Sequence, residues 1–293
     1  MDPRRLELLL ELSRLGSMRA VADAMNVTTS TVSQQIAVLS REAGAALIEP
    51  TGRRVRLTPA GRRLADHAVT ILAALEAARA DLDPDGAPAG ELRVAAFASA
   101  VRQSLLPVVR ALAKHHPEVR LLVHEHEQAE AFALLADDDV DLALTYEYNL
   151  APATFDRRFT PTPLWETAWS LGVPVVEKAV RGDSLAVFSR FRDHDWIVNS
   201  RNTADEDVVR TVASLAGFQP RITHHADSLE LVQDMIAAGL GVGLLPAGRR
   251  PVEGVALLPL RDPDVVLRAY AVARRGRTDW PPLALVLGLL ADG

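Results

Sequence analysis

Between Val27 and Ile36 the chain reads VTTSTVSQQI, where Thr28, Thr29, Ser30, Thr31, Ser33, Gln34 and Gln35 are short hydrogen-bonding side chains in an Ala/Leu-rich surround. Further on, Arg53, Arg54, Arg56, Arg62 and Arg63 fall between Pro50 and Ala65 without a single acid. Hydroxyls and amides read base edges and hold phosphate oxygens, and guanidinium groups pair with phosphates, so the two stretches together have the chemistry of nucleic-acid contact. The charge distribution points the same way. The formal net charge is −6, yet residues 1–65 hold ten Arg against six Asp/Glu, while the remainder carries 22 basic and 32 acidic side chains. A basic head on an acidic body is the footprint of a chain in which one part meets phosphates and another does not.

The elements that must position these groups follow from periodicity. Leu8, Leu12 and Leu15 form one stripe of a helix over Pro3–Leu15 that Gly16 stops. Ser17 is placed to cap a second helix over Met18–Met25, whose alanines admit close packing, and Asn26-Val27 leaves only a tight break. Thr28 caps a third helix running to about Ala43, ended by Gly44. On that helix Val32, Ile36 and Leu39 share the core-facing side, and Ser30, Ser33, Gln34, Ala37 and Arg41 share the other. Two short helices joined by a tight turn, the second opening on polar residues, make a helix-turn-helix. Thr51-Gly52 then signals a turn, and Val55 and Leu57 alternate with Arg54 and Arg56 as in a two-stranded wing with a basic face.

The run from Ser17 through Gln35-Ile36 to Arg53-Arg54-Val55-Arg56-Leu57-Thr58-Pro59-Ala60-Gly61 resembles the winged helix-turn-helix of LysR-type transcriptional regulators, and its ending RLTPAG is the most specific part. The resemblance implies a multidomain chain that is a sequence-specific DNA-binding transcriptional regulator under small-molecule control. It implies a motif over about Met18–Ala37, with double-stranded DNA contacted by Thr29, Ser30, Thr31, Ser33, Gln34 and Gln35 and by the wing residues Arg53 and Arg54. Against the family pattern, Leu47-Ile48-Glu49-Pro50 replaces Leu-Phe-x-Arg, Thr29 stands where Gln is usual, and Leu39-Ser40 where Leu-Glu is usual. These departures imply an altered half-site, and one lost phosphate contact flattens the salt dependence of binding by about 0.9 logarithmic units.

Thr58-Pro59 opens a further helix on which Leu64, Ala68, Ile71, Leu75, Ala78 and Leu82 repeat at alternating spacings of four and three, a heptad seam. The seam predicts pairing with the same helix of a second copy, giving a homodimer or homotetramer and a near-palindromic operator. The helix ends in Asp83-Pro84-Asp85-Gly86-Ala87-Pro88-Ala89-Gly90, a hinge-like linker. The expected division is an all-α winged head over 1–59, a dimerisation helix and hinge over 60–90, and a regulatory domain over 91–293.

Beyond the hinge, strand-like and helix-like stretches alternate, which predicts a parallel α/β sheet. By the resemblance this region forms a two-lobed, periplasmic-binding-protein-like effector domain. One lobe comprises about 91–161 and 266–293, the other about 162–265, with crossings near Thr160–Ala168 and Val255–Val266. Ligands of such sheets sit beyond the carboxyl ends of strands. Ser99, Gln128, Thr145, Ser200 and Thr203 are the candidate effector-binding residues, with Asn199 and Gly241-Val242-Gly243 close by, and hydroxyls with free N–H groups suit an anionic or polar ligand. Trp165, Trp169 and Trp196 are read chiefly as core.

The sequence offers no Gly-rich phosphate loop, nucleophile elbow or Ser/His/Asp arrangement, so no catalytic residue, enzyme activity or cofactor is expected. His124 and His126 share a strand face opposite Glu125 and Glu127, and no histidine spacing predicts a metal site. With no cysteine, disulfide and thiolate chemistry are excluded. No apolar run is long enough to span a membrane and no export pattern opens the chain, so a cytoplasmic location is expected. Two rivals remain: a small-molecule binding protein whose N-terminal helices serve oligomerisation only, and an enzyme on the α/β domain.

Overall fold

The computed structural model describes residues 1–51, 54–82 and 87–292, and of Arg54 and Asp81 the backbone alone. Three helices form the head: α1 (Pro3–Leu15), α2 (Met18–Ala24) and α3 (Thr29–Ala43). Each starts on a side-chain cap: Asp2 accepts from Arg4 N, Ser17 from Ala20 N and Thr28 from Thr31 N. Each cap satisfies an amide that the helix itself leaves without a partner. Asn26, at φ 53, makes the left-handed turn between α2 and α3, a conformation that Asn tolerates. Val32, Ile36 and Leu39 are buried against Leu6, Leu9, Leu12 and Val21, so the periodicity of α3 does set its core side.

Strands β1 (Ile48–Thr51) and β2 (Arg54–Leu57) pair antiparallel as the wing and lead into α4 (Pro59–Leu82). The RLTPAG motif sits at this junction. Thr58 Oγ1 donates to the Ala46 carbonyl at 2.7 Å and accepts from Gly61 N at 3.0 Å, tying the start of the wing to the first turn of α4. Gly61 lies directly against the Leu47 carbonyl, where a Cβ would collide with backbone. Glycine is therefore dictated here by close approach of two chain segments.

The rest of the chain alternates β3 (Gly90–Ala96), α5 (Ala98–Ala100), a π-helical turn over Val101–Leu105, α6 (Leu106–His115), β4 (Val119–Glu125), α7 (Gln128–Ala136) and β5 (Leu142–Tyr148). There follow β6 (Phe159–Pro174), α8 (Ser184–Arg190), β7 (Asp195–Val198), α9 (Ala204–Leu215), β8 (Arg221–His225), α10 (Leu229–Ala237), β9 (Val242–Pro246), β10 (Val255–Pro259), β11 (Val266–Arg274) and α11 (Pro281–Ala291). The sheet runs β4-β3-β5-β11-β6-β9-β7-β8, with β10 pairing β6 at its side.

The sheet is mixed, which corrects the all-parallel expectation. The β3/β4, β3/β5, β7/β8 and β7/β9 pairs are parallel, whereas β6, β10 and β11 pair antiparallel. Helical crossovers enforce the parallel pairs; β6 and β11 instead carry the chain between two lobes and need no crossover. The first half of β6 pairs with β11 and the second half with β9 and β10, so a single long strand serves both lobes. Pro161 and Pro163 lie in the half that pairs only with β11, where an edge position tolerates a missing N–H.

The head is fastened to the first lobe through α4. Arg274, at the end of β11, contacts Asp66 of α4 at 2.6 Å and Asp138 at 3.4 Å, and Thr70 Oγ1 donates to the Arg275 carbonyl at 3.2 Å. Behind them, buried Asp141 accepts from Arg93 Nε and Nη2 at 3.0 Å each, from Arg93 N at 2.9 Å and from Arg277 at 2.9 Å. Burial alone would raise the Asp141 carboxyl, but the Arg93 hydrogen bonds and the Arg277 and Arg93 charges hold it below its ordinary value.

Candidate functional site

Two surfaces concentrate functional chemistry. On α3, Thr29, Ser30, Ser33, Gln34, Ala37 and Arg41 are exposed on the side opposite the core. Ser30 and Thr31 hydroxyls each lie 2.8 Å from Thr28 Oγ1, which draws Thr31 into the cap, while the Gln35 carbonyl oxygen accepts from Arg5 Nε at 2.9 Å and so faces α1. Gln34 and Ser33 thus stand freest. Arg53 lies outside the described residues, as does the Arg54 side chain. Opposite each other in the wing, Arg56 and Glu49 form an exposed ion pair at 2.8 Å, so Glu49, beside the Pro50 that stands where the family pattern has Arg, offsets part of the wing's basic charge.

The second surface is a cavity of about 160 Å³ between the lobes. It opens at the carboxyl ends of the parallel strands, where such sheets hold ligands. Phe97, Ala98 and Ser99 follow β3, Glu125 ends β4 and Glu127 follows it, Asn199 follows β7, and Ala226, Asp227 and Ser228 follow β8; Tyr146, Trp169, Asp205, Arg102 and Glu230 share the wall with apolar side chains such as Ile197, Val232 and Leu244. Phe97 packs edge-on to Tyr146 with ring centres 4.7 Å apart, and Tyr146, Tyr148 and Trp169 continue as edge-to-face pairs at 6.1 and 5.5 Å.

Polar links across the cavity come from both lobes. Tyr148 Oη donates to Asp205 Oδ1 at 2.8 Å, Asn202 Nδ2 donates to Glu127 Oε2 and to Tyr146 Oη, and Arg201 reaches Glu125 at 3.3 Å, Glu130 at 3.5 Å and Asp227 at 3.3 Å. Burial and the Asp227 charge raise the Glu127 carboxyl above its ordinary value. Burial, opposed by the Tyr148 hydrogen bond and aided by the Glu127 and Asp227 charges, pushes Asp205 up to about 7. Burial would raise Asp227 too, but the Ser200 hydroxyl and amide and the Arg201 groups hold it low.

Of the effector residues expected from sequence, Ser99 lines this cavity, and so does the neighbouring Asn199. Gln128 opens α7 one residue past the wall residue Glu127. Ser200 is spent on Asp227, and the Thr203 hydroxyl donates to Asp207 at 2.8 Å. Thr145 alternates with Tyr146 along β5 and so turns to the opposite face, fully buried with an unpaired hydroxyl. Trp169 lines the cavity, Trp165 borders an adjoining pocket and donates to Ser104 at 2.9 Å, and Trp196 is core. The acids were missed; the signal was the alternating HEHE run ending in Glu127, and Asp227 two residues past the end of β8.

A winged helix-turn-helix head on a long helix, joined to two α/β lobes around a cavity, defines a DNA-binding regulator with an effector domain. The family model "Bacterial regulatory helix-turn-helix protein, lysR family" matches residues 3–62, and "LysR substrate binding domain" matches residues 85–293. The chain belongs to the LysR family of transcriptional regulators. It is 27% identical to the DNA-binding transcriptional dual regulator OxyR of Escherichia coli, over 100% of this chain and 97% of that one. It is 25% identical to the transcriptional dual regulator GltC of Bacillus subtilis, over 84% and 81%. A full-length OxyR variant from Pseudomonas aeruginosa has the same fold, at TM-score 0.72, 20% identity and coverage of 100% and 94%. Full-length CbnR complexed with its target DNA matches at TM-score 0.54, 21% identity, and coverage of 100% and 99%. No described helix is long and apolar enough to cross a membrane.

Proposed function

We propose that this regulator reads a near-palindromic operator as a homodimer or homotetramer in the cytoplasm, and that a small ligand in the inter-lobe cavity shifts the placement of its two reading heads. The observation that carries the reading is the exposed polar side of α3, with Ser33 and Gln34 projecting opposite the buried Val32, Ile36 and Leu39. Gln makes paired hydrogen bonds to adenine in the major groove, and Ser30 and Thr29 at the helix start suit phosphate. The DNA complex of CbnR, a protein of the same fold, supports this use of the head. Arg53 and Arg54 would flank the groove from the wing.

Dimerisation rests on α4. Of the expected heptad seam, Ala68 is fully buried and Leu64 packs against the head's own core, so the line left for a partner helix is the later part of α4, where Ile71 is 43% exposed and Leu82 85% exposed. Coupling follows from the links between α4 and the first lobe and from the hydrogen bonds that bridge the two lobes at the cavity. A ligand that favours one lobe arrangement thereby favours one head arrangement. The relatives named as hydrogen peroxide-inducible gene activators do not extend a thiol mechanism to this chain, which has no cysteine. The test is a binding comparison on a selected operator: Gln34→Ala is expected to lose about 1–3 kcal/mol of discrimination at one base position. Unchanged site preference would remove α3 as the reading helix.

A further inference from the structure

We propose that the inter-lobe cavity takes a small organic cation, an ammonium or guanidinium group on an apolar stem. The proposal rests on the reading of this cavity as the effector site, and it replaces the anionic class that strand-end hydroxyls suggest. Glu125, Glu127, Asp205, Asp227 and Glu230 line the cavity against one lining cation, Arg102. Arg102 is paired with Glu230 at 2.5 Å, and Arg201 from the rim satisfies Glu125 and Asp227.

Glu127 and Asp205 remain. Among the described residues neither forms a direct ion pair: Glu127 accepts from Asn202, Tyr146 and, in a capping box, the Glu130 N–H, with the Arg201 charge acting only from further off, and Asp205 accepts from Tyr148. Glu127 is only 5% exposed. Burying a carboxylate without a counter-charge is costly, and the cost shows as the upward displacement of both groups. A bound cation would supply the missing charge, whereas an anion would add a further like charge to the same wall. The aromatic side of the cavity, Phe97, Tyr146 and Trp169, fits the same class, because ring faces attract ammonium and guanidinium groups and pack alkyl stems. The volume of about 160 Å³ restricts the ligand to a small molecule.

The test titrates the full-length protein at pH 8 and fixed ionic strength with arginine, agmatine and 1,4-diaminobutane, and with succinate and glutarate as anions of similar length. Binding is read by calorimetry and by melting temperature. A saturable rise with at least one cation is expected, weakened tenfold or more in Glu127→Gln and in Asp205→Asn, with no rise for the dianions. Both substitutions keep the side-chain shape and a carbonyl acceptor, and tryptophan-monitored melting of each variant shows that it folds; either variant suffices. No saturable binding of any cation overturns the proposal. Binding of a dianion instead, abolished by the cavity-filling Ser99→Trp, also overturns the cation class but leaves the cavity as effector site. Cation binding indifferent to Glu127→Gln, Asp205→Asn and Ser99→Trp overturns both readings.

Discussion

The buried carboxyl of Asp205 makes stability depend on pH in a defined direction. In the unfolded chain an aspartate titrates near 3.9, whereas in the fold burial, with the Glu127 and Asp227 charges, pushes Asp205 up to about 7 against the opposing Tyr148 hydrogen bond. Below the unfolded value both states hold the proton and nothing is lost. Between the two values the folded state keeps a proton that the unfolded chain has released, so stability falls as pH rises, at about 1.4 kcal/mol per unit, and the loss is complete above 7. From pH 5 to pH 8 this single group therefore removes on the order of 2–3 kcal/mol. Asp205→Asn keeps an acceptor for the Tyr148 hydroxyl but cannot ionise. The assay is urea denaturation of both proteins at pH 5, 6, 7 and 8, followed by tryptophan fluorescence; Trp165, Trp169, Trp196 and Trp280 all lie in the two lobes, so the signal reports the region that holds Asp205. The variant is expected to gain on the native protein steadily up to pH 7 and to level off beyond it. Parallel stability curves for the two proteins across this range would refute the reasoning.

Three further substitutions probe the frame. Gly61→Ala sets a Cβ against the Leu47 carbonyl and should destabilise the head by about 1–3 kcal/mol, read as a lower melting temperature of the head and loss of operator binding. Ile71→Glu places charge on the exposed seam of α4 and is expected to shift sedimentation toward the monomer without lowering the tryptophan-monitored stability of the lobes. Asp141→Ala leaves the Arg93 and Arg277 guanidinium groups without their shared carboxylate, with an expected loss of about 3–5 kcal/mol in denaturation. Because Asp141 is held below its ordinary value, the native protein should lose this contribution only as pH falls through that lowered value, while the variant shows no such loss.

What could be read without coordinates was local. The caps at Ser17 and Thr28, the stops at Gly16 and Gly44 and the core side of α3 follow from residues within a turn or two of each other, and periodicity exposes them, whereas the Asp2 cap of α1 went unread. The Gln35 to Arg5 hydrogen bond joins α3 to α1 and leaves no periodic trace, so Gln35 and Gln34 look equivalent in sequence although one faces α1. The crossing expected near Thr160–Ala168 is part of the long strand β6, whose pattern Pro161 and Pro163 interrupt although they occupy a half-paired strand. The cavity shows the same division. Its position at the strand ends was predictable from the fold, but its charge was not. Glu127 follows β4, Asp205 lies in α9 and Asp227 follows β8, and only the closing of two lobes sets them around one space. Looking for hydroxyls at helix starts found Ser99 and passed over the carboxylates one residue away from Gln128 and beyond.

On the proposed reading this chain selects DNA sequence through α3, and the cavity governs that selection. Enrichment of duplexes from a random pool by the full-length protein, followed by binding of the enriched site with and without a cavity-saturating cation, tests it most directly. Expected are enrichment of a site with two related half-sites, an affinity that falls steeply with salt, and a change in affinity or footprint on adding the cation. A protein that enriches no sequence, or whose enriched sites respond to the cation identically in the native form and in Glu127→Gln, would contradict it.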